Sequence, residues 1–378
     1  MAAVKTGRWR RLWLNAHLWI GVGLLLALAP LGLSGSLLVW DTQADKVLSP
    51  VRHVPVADRP ALGASAYLAA AQTALGERAS ATQLRWPSRP GDSVVITARQ
   101  AGPKAPGRPP RSLNVWLDPA SGRVLDIGDP RASPIGIMHR LHGNLLLPAN
   151  GRTVVGWLGW AMAVSCLTGL WLWWPRGAWW AGLGWRRGPH AWSNLHHMAG
   201  FWICLPLLAL SITGVYIAFP KASHALMGAP PPATGGGGEG RAGVDGPSAR
   251  PPRMTADAAT AAALAAVPGA RPMALTLPAG GPHPSWRLQA RVAQGRPFVL
   301  LVDDADGQVR QGGAGGPGRA GDDPLSRLIR NLHAGDDMPA AWRWIITAAG
   351  LAPTVLGVSG IVIWIRRPRR PVLAKASG

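Results

Sequence analysis

The chain has 378 residues, of which 48% are hydrophobic and only 15% charged, yet its formal net charge is +21. Twenty Trp against three Phe and two Tyr, together with four apolar runs of about 20 residues or more, exclude an ordinary soluble protein. The basic residues crowd beside those runs, which argues against a nucleic-acid binder. In chain order, a basic N-terminus leads into the first apolar run, Leu12–Trp40, and residues 1–40 read as a cytoplasmic start plus span one. Its apolar stretch is about twice a signal-peptide core, so it reads as an uncleaved anchor. Residues 41–152 read as a small α+β domain. Helical spacing over Leu62–Leu75 is followed by β-rich runs at Gln83–Trp86, Ser93–Ala98 and Leu113–Leu117, and by a turn at Asp118–Gly122. Span two covers residues 153–174, a basic loop 175–198, and span three 199–219. Residues 220–341 form a second α+β domain, with a Gly/Pro-rich linker at 228–253 and another such tract at Gly312–Gly321. Within it, Thr255–Ala266 is predicted helical, and Met273–Leu277, Ser285–Arg291 and Pro297–Val302 are predicted strands. Span four covers 342–365, and residues 366–378 are a basic tail.

The segments 1–11, 175–190 and 366–378 hold 12 of the 39 Lys and Arg residues and no Asp or Glu. By the positive-inside rule they are cytoplasmic, so both termini lie inside a bacterial inner membrane and both long connections lie outside. The two cysteines, Cys166 and Cys204, fall inside spans two and three, and neither belongs to a C-x-x-C-H motif.

The two halves of the chain resemble each other. Trp13-Leu-Asn-Ala-His17 aligns with Trp192-Ser-Asn-Leu-His196, Ser34-Gly35 with Thr213-Gly214, Leu141-His142 with Leu332-His333, and Thr168-Gly169 with Ser359-Gly360. Each half reads as span, outer domain, span, in the same orientation. The predicted fold is therefore a membrane protein, mainly α: a four-helix transmembrane bundle built as a tandem repeat, with two small α+β periplasmic domains.

Four histidines occupy equivalent places in the halves. His17 and His196 lie near the cytoplasmic ends of spans one and three, and His142 and His333 on the outer approaches to spans two and four. A lone histidine at a helix end more often caps the helix than binds a metal. Two equivalent pairs in a bundle, however, point to two bis-histidine sites, His17 with His196 and His142 with His333. His139 shares a helical face with His142, and His197 follows His196, so either neighbour is an alternative ligand. Arg330 stands where the first half has His139, and Leu18 where the second has His197, which favours His142 and His196. Arg140 and Arg330 are candidate partners for anionic groups at the outer site. His53, His190, His224 and His283 have no equivalent and read as surface residues. The four Ser/Thr-Gly pairs suit close helix packing, or room for a flat cofactor.

These elements resemble the PepSY-associated transmembrane family, which includes iron-regulated inner-membrane proteins and ferric-siderophore reductases. The matching residues are Leu14-Asn-Ala-His17 with Leu33-Ser-Gly35, Met138-His-Arg-Leu-His142-Gly-Asn-Leu-Leu-Leu-Pro148 with Gly151-Arg152, and Thr168-Gly-Leu-Trp-Leu-Trp-Trp-Pro-Arg176. In the second half they are Ser193-Asn-Leu-His196-His197, Ile212-Thr-Gly214 and Asn331-Leu-His333-Ala-Gly335. The Asp118–Gly122 turn resembles that of PepSY domains, so the outer domains are expected to be PepSY-like. The resemblance implies two b-type haems held by these histidines, with the haem iron as the only metal, and one-electron transfer to a ferric chelate or siderophore in the periplasm, in the service of iron acquisition. Electrons would come from a quinol or a cytoplasmic partner, since the chain has no nicotinamide-binding glycine fingerprint. The alternative is a non-catalytic membrane protein whose outer domains bind or regulate a periplasmic partner. A transporter fits less well, because no Asp or Glu lies in any span.

Overall fold

The computed structural model describes residues 2–53, 61–100, 111–174, 191–226, 251–280, 283–293, 295, 297–312 and 324–366. The predicted linker 228–253, all but its last three residues, lies outside them, as do nearly all of the Gly312–Gly321 tract, residues 175–190 and the tail from residue 367. In chain order the helices are α1 (Ala2–Leu38), α2 (Asp41–Leu48), α3 (Ala64–Leu75), α4 (Pro134–Asn144) and α5 (Gly151–Trp173). After these come α6 (Ala191–Ala218), α7 (Pro220–Leu226), α8 (Ala256–Ala265), α9 (Pro324–Ala334) and α10 (Ala340–Ile365). The strands are β1 (Ala79–Arg85), β2 (Val94–Gln100), β3 (Ser112–Leu117) and β4 (Val124–Gly128), then β5 (Arg271–Thr276), β6 (Ser285–Arg291), β7 (Phe298–Asp303) and β8 (Val309–Gln311). Two compact units result: one from residues 1–41, 138–219 and 326–378, the other from residues 42–137 and 220–325.

In the first unit four helices are long and apolar enough to cross a membrane: α1 from Gly7, α5, α6 and α10. Their packing is polar-in and apolar-out. Ser34, Ser36, Thr168, Ser211, Ser359, Ala349 and Ala352 are buried between helices, while Leu26, Trp157, Trp202 and Leu205 face outward. In lipid, helices gain little by hiding Leu from Leu, and small residues let backbones approach. The bundle forms a ring in which α1 touches α5 and α10, and α6 touches the same two. The closest approach is Gly32 against Gly350, where a side chain on either would collide with the other's backbone. At the C-terminal ends of α1 and α6, orphan carbonyls are capped from a neighbouring helix: Arg343 on α10 donates to Val39 O, and Arg152 on α5 to Ile217 O. Span three was expected to begin at residue 199, but α6 is helical from Ala191, which carries His196 a turn and a half into the helix.

The second unit corrects the expectation of two separate small domains. Two four-stranded antiparallel meanders join into one eight-stranded sheet, in the order β4-β3-β2-β1-β5-β6-β7-β8. The seam pairs β1 with β5 through Gln83 with Thr276, Leu84 with Leu275, and Arg85 with Ala274. The predicted helices and strands are present within a few residues, and β4 is added after the Asp118–Gly122 turn. That turn closes as the sequence requires: Asp118 accepts from Ala120 N–H and the Ser121 hydroxyl, and Gly122 takes φ +71°. α3 and α8 cover one face, burying Tyr67, Leu84, Ile96, Leu275 and Leu288. Alternate strand residues point the other way. Across the middle of that second face run Asn114, Thr97, Gln83 and Thr276, with Thr97 bonded to Asn114 and Gln83 to Thr276 at 3.1 Å each.

Candidate cofactor-binding sites

The bundle brings His17, His196, His142 and His333 together in two pairs. His17 on α1 and His196 on α6 lie with ring centroids 6.5 Å apart and their planes nearly perpendicular, at 88°. The rings of His142 on α4 and His333 on α9 stand 6.0 Å apart. An imidazole nitrogen binds a first-row metal at about 2 Å, so two rings sharing one ion through Nε2 stand about 6 Å apart, centroid to centroid. Both separations meet that requirement.

The hydrogen bonds behind the rings decide which nitrogen is available. His17 Nδ1 lies 3.1 Å from Thr168 Oγ1, His196 Nδ1 2.9 Å from Ser359 Oγ, and His333 Nδ1 2.9 Å from Thr213 Oγ1. Each hydroxyl already donates its proton to the carbonyl four residues back, at 2.8 Å for Thr168, 2.7 Å for Ser359 and 2.8 Å for Thr213. Each hydroxyl must therefore accept from the histidine. His142 Nδ1 reaches the carbonyl of Leu31 at 2.9 Å, which can only accept. The network thus assigns all four rings the Nδ1–H tautomer, leaving the Nε2 lone pair for a metal. None of the four Nε2 atoms has a hydrogen bond among the described residues. Burial lowers the imidazolium pKa of His142, and that of His333 to about 4, where His142 adds to the effect. Both of these rings are neutral, the form that ligates.

The glycine of each Ser/Thr-Gly pair lies beneath the same ring. A Cβ at Gly35 would stand 2.7 Å from His142 Cε1. At Gly169 it would stand 3.0 Å from His17, at Gly214 3.1 Å from His333, and at Gly360 3.4 Å from His196. In three of the pairs the hydroxyl orients the ring and the glycine makes room for it. In the fourth, Ser34 bonds to its own helix at Pro30 O and Leu31 O, and only the glycine serves His142. Sequence reasoning had these pairs chiefly as packing residues. Their regular place near one end of each long helix was the available signal.

Of the alternative ligands, His139 is exposed, one turn before His142. His197 is also exposed, and its Nδ1 donates to Ser193 O at 2.5 Å. Two further corrections concern residues expected on the surface: His224 is buried, and His53 is part-buried and bonds Asp45 at 3.2 Å.

A cavity of about 260 Å³ opens beside His17 and His196. Leu, Val, Ile, Met and Gly dominate its walls, with Arg10 and His197 among the few polar residues. Arg10 also donates to Leu172 O at 3.3 Å. Among the described residues no group of three or more His, Cys, Asp or Glu side chains is placed to hold a metal. Two imidazoles are too few for a bare ion, but they suffice for an iron whose other four positions a planar macrocycle fills.

A search of curated proteins found no match for this chain. The family model described as the PepSY-associated TM region matches residues 14–367, which include all four paired histidines and both units. The chain belongs to the PepSY-associated TM region family.

Proposed function

We propose that the protein is an inner-membrane electron carrier that holds two b-type haems, one at each histidine pair, and reduces ferric chelates in the periplasm. The observation that carries this is the double pair of imidazoles, each ring presenting an Nε2 lone pair. When bound, the haem iron supplies a one-electron Fe(III)/Fe(II) couple. The rest is done by the chain. His17 and His196 would hold one haem, and His142 and His333 the other. Thr168, Ser359, Thr213 and the Leu31 carbonyl fix the rings and keep the proton on Nδ1, and the apolar walls exclude water. From His17 to Leu31 is about four turns of α1, so about 20 Å of helix separates the two centres along the membrane normal. Reducing chelated Fe(III) to Fe(II) weakens its hold on hard oxygen donors and releases the iron.

The orientation follows from the basic segments, which put the first pair on the cytoplasmic side, beside a quinol or protein donor, and the second pair on the periplasmic side. Duplication of a span–domain–span unit accounts for the equivalent histidines, for the matching arginine caps and for the mirrored strand order of the sheet, whose halves would be the PepSY-like parts.

The test is the visible spectrum of the detergent-purified protein, oxidised and then dithionite-reduced, with a pyridine haemochrome assay. Sharp reduced bands at two haems per chain are expected, followed by oxidation on adding a ferric chelate. A colourless protein that takes up no added haem would sink the proposal. In that event a second reading stands, in which the outer unit binds a periplasmic partner. One observation favours it: the sheet's second face carries Arg85, Arg99, Arg271, Arg287, Arg291 and Arg310, none in an ion pair among the described residues, and Arg271 sits directly opposite Arg291.

A further inference from the structure

Two redox-capable side chains lie outside the four histidines. Cys166 on α5 and Cys204 on α6 are the only cysteines in the chain, and both are buried free thiols. Cys204 Sγ donates to the Cys166 carbonyl at 3.4 Å, and the two side chains belong to one packed cluster. They pack with Met162 and Leu207, where α5 and α6 meet. His196, Gly200 and Cys204 follow one another at four-residue spacing along one stripe of α6, so the thiols stand about 12 Å along the helix from His196. Both cysteines line the same cavity as His17 and His196.

Packing alone asks only for small apolar groups here. Two thiol side chains packed together from different helices add the option of a covalent bond. The cavity also limits what can oxidise them. It is bounded mainly by aliphatic side chains, no carboxylate among the described residues lines it, and it lies among helices apolar enough to sit in lipid. A neutral, lipid-soluble, two-electron acceptor suits such a space, and a hydrophilic oxidant does not.

We propose that Cys166 and Cys204 form a third redox site, a dithiol that a membrane quinone entering the cavity oxidises to an interhelical disulfide. Both S–H bonds break and one S–S bond forms. The two electrons and two protons pass to the quinone, which leaves as quinol, and a dithiol reductant restores the thiols. The product ties α5 to α6 at the wall of the first histidine pair. Haem at the first pair would fill the same cavity, so the quinone reaction belongs to the haem-free chain.

The full-length protein in detergent, haem-free, reduced and desalted, is incubated with a fully substituted benzoquinone, which has no ring C–H at which a thiol can add. It is then denatured and labelled with N-ethylmaleimide. Labels are expected to fall from two per chain to none, and the tryptic peptides Thr153–Arg176 and Gly188–Lys221 to be recovered joined until a reductant is added. Cys166→Ser and Cys204→Ser should each keep one label and give no joined peptide. Two labels remaining after exhaustive quinone treatment would overturn the site. So would peptides that join with diamide but not with quinone, because proximity would then hold without a quinone reaction. Haem content of the same sample separates the two proposals: unoxidised thiols in a haem-free sample that still takes up two added haems overturn only this one, and a disulfide in a protein that binds no haem overturns only the other.

Discussion

His17 and His196 sit within long helices and donate to hydroxyls on neighbouring long helices, whereas His142 and His333 sit on the short helices α4 and α9, one donating to a hydroxyl and the other to the Leu31 carbonyl. The first pair has an apolar cavity beside it. The second has the tightest glycine contact, Gly35 beneath His142. Similar ring separations are thus reached with different supports, which implies that the imidazole spacing is the required quantity and the means of holding it is not.

The strongest way to break the comparison is to remove one ligand from each pair. His17→Ala and His142→Ala are each expected to halve the haem content by the pyridine haemochrome assay, and the double variant to abolish it. Full content in the His17→Ala variant would remove His17 from the ligand set, and full content in the His142→Ala variant would transfer that role to His139. Next comes the glycine series. Gly35→Ala should empty or distort the second site alone, because its Cβ would lie 2.7 Å from the ring, while Gly360→Ala, at 3.4 Å, should leave the reduced spectrum nearly unchanged. Equal effects from both would mean that the rings shift freely.

The hydroxyls give a smaller, graded effect. Thr168→Val, Ser359→Ala and Thr213→Val each leave a buried Nδ1–H without an acceptor, at about 1–3 kcal/mol. Haem affinity at the affected site should fall about 10- to 100-fold. Ser34→Ala should change affinity little, since His142 donates to a backbone carbonyl instead. A loss at Ser34→Ala as large as at Thr213→Val would remove the distinction between the two seatings. The smallest effect is expected in the other unit. Tyr67→Phe deletes the bond from the buried hydroxyl to Pro119 O and should lower thermal stability by about 1 kcal/mol without altering the haem spectrum.

Much of this was legible in the sequence. Spans announce themselves by length and apolarity, and the histidine pairs were expected from similar motifs around His17 and His196 and around His142 and His333, which the fold does bring together. The supports were harder to read. Thr168 and Ser359 look like ordinary intrahelical residues, and each does bond its own helix. What they accept comes from a histidine more than 150 positions away. The seam between β1 and β5 was hidden for a similar reason. Each meander satisfies the alternation of a small sheet by itself, and Gln83 and Thr276, which meet across the seam, are polar residues that mark no core. His224 was misread because nothing local distinguishes a buried histidine from an exposed one.

The β1–β5 seam has a consequence for any attempt to work with half of the molecule. It is a short antiparallel pairing of only three residue pairs, but it covers the backbone edges of both β1 and β5. A chain cut between the halves would leave each meander with a bare edge of unpaired N–H and C=O groups, the kind of edge that recruits another strand. Because antiparallel pairing is self-complementary, the first half alone has a ready partner in a second copy of itself, β1 against β1 about a two-fold axis. Fragments of this protein should therefore associate where the intact chain closes on itself.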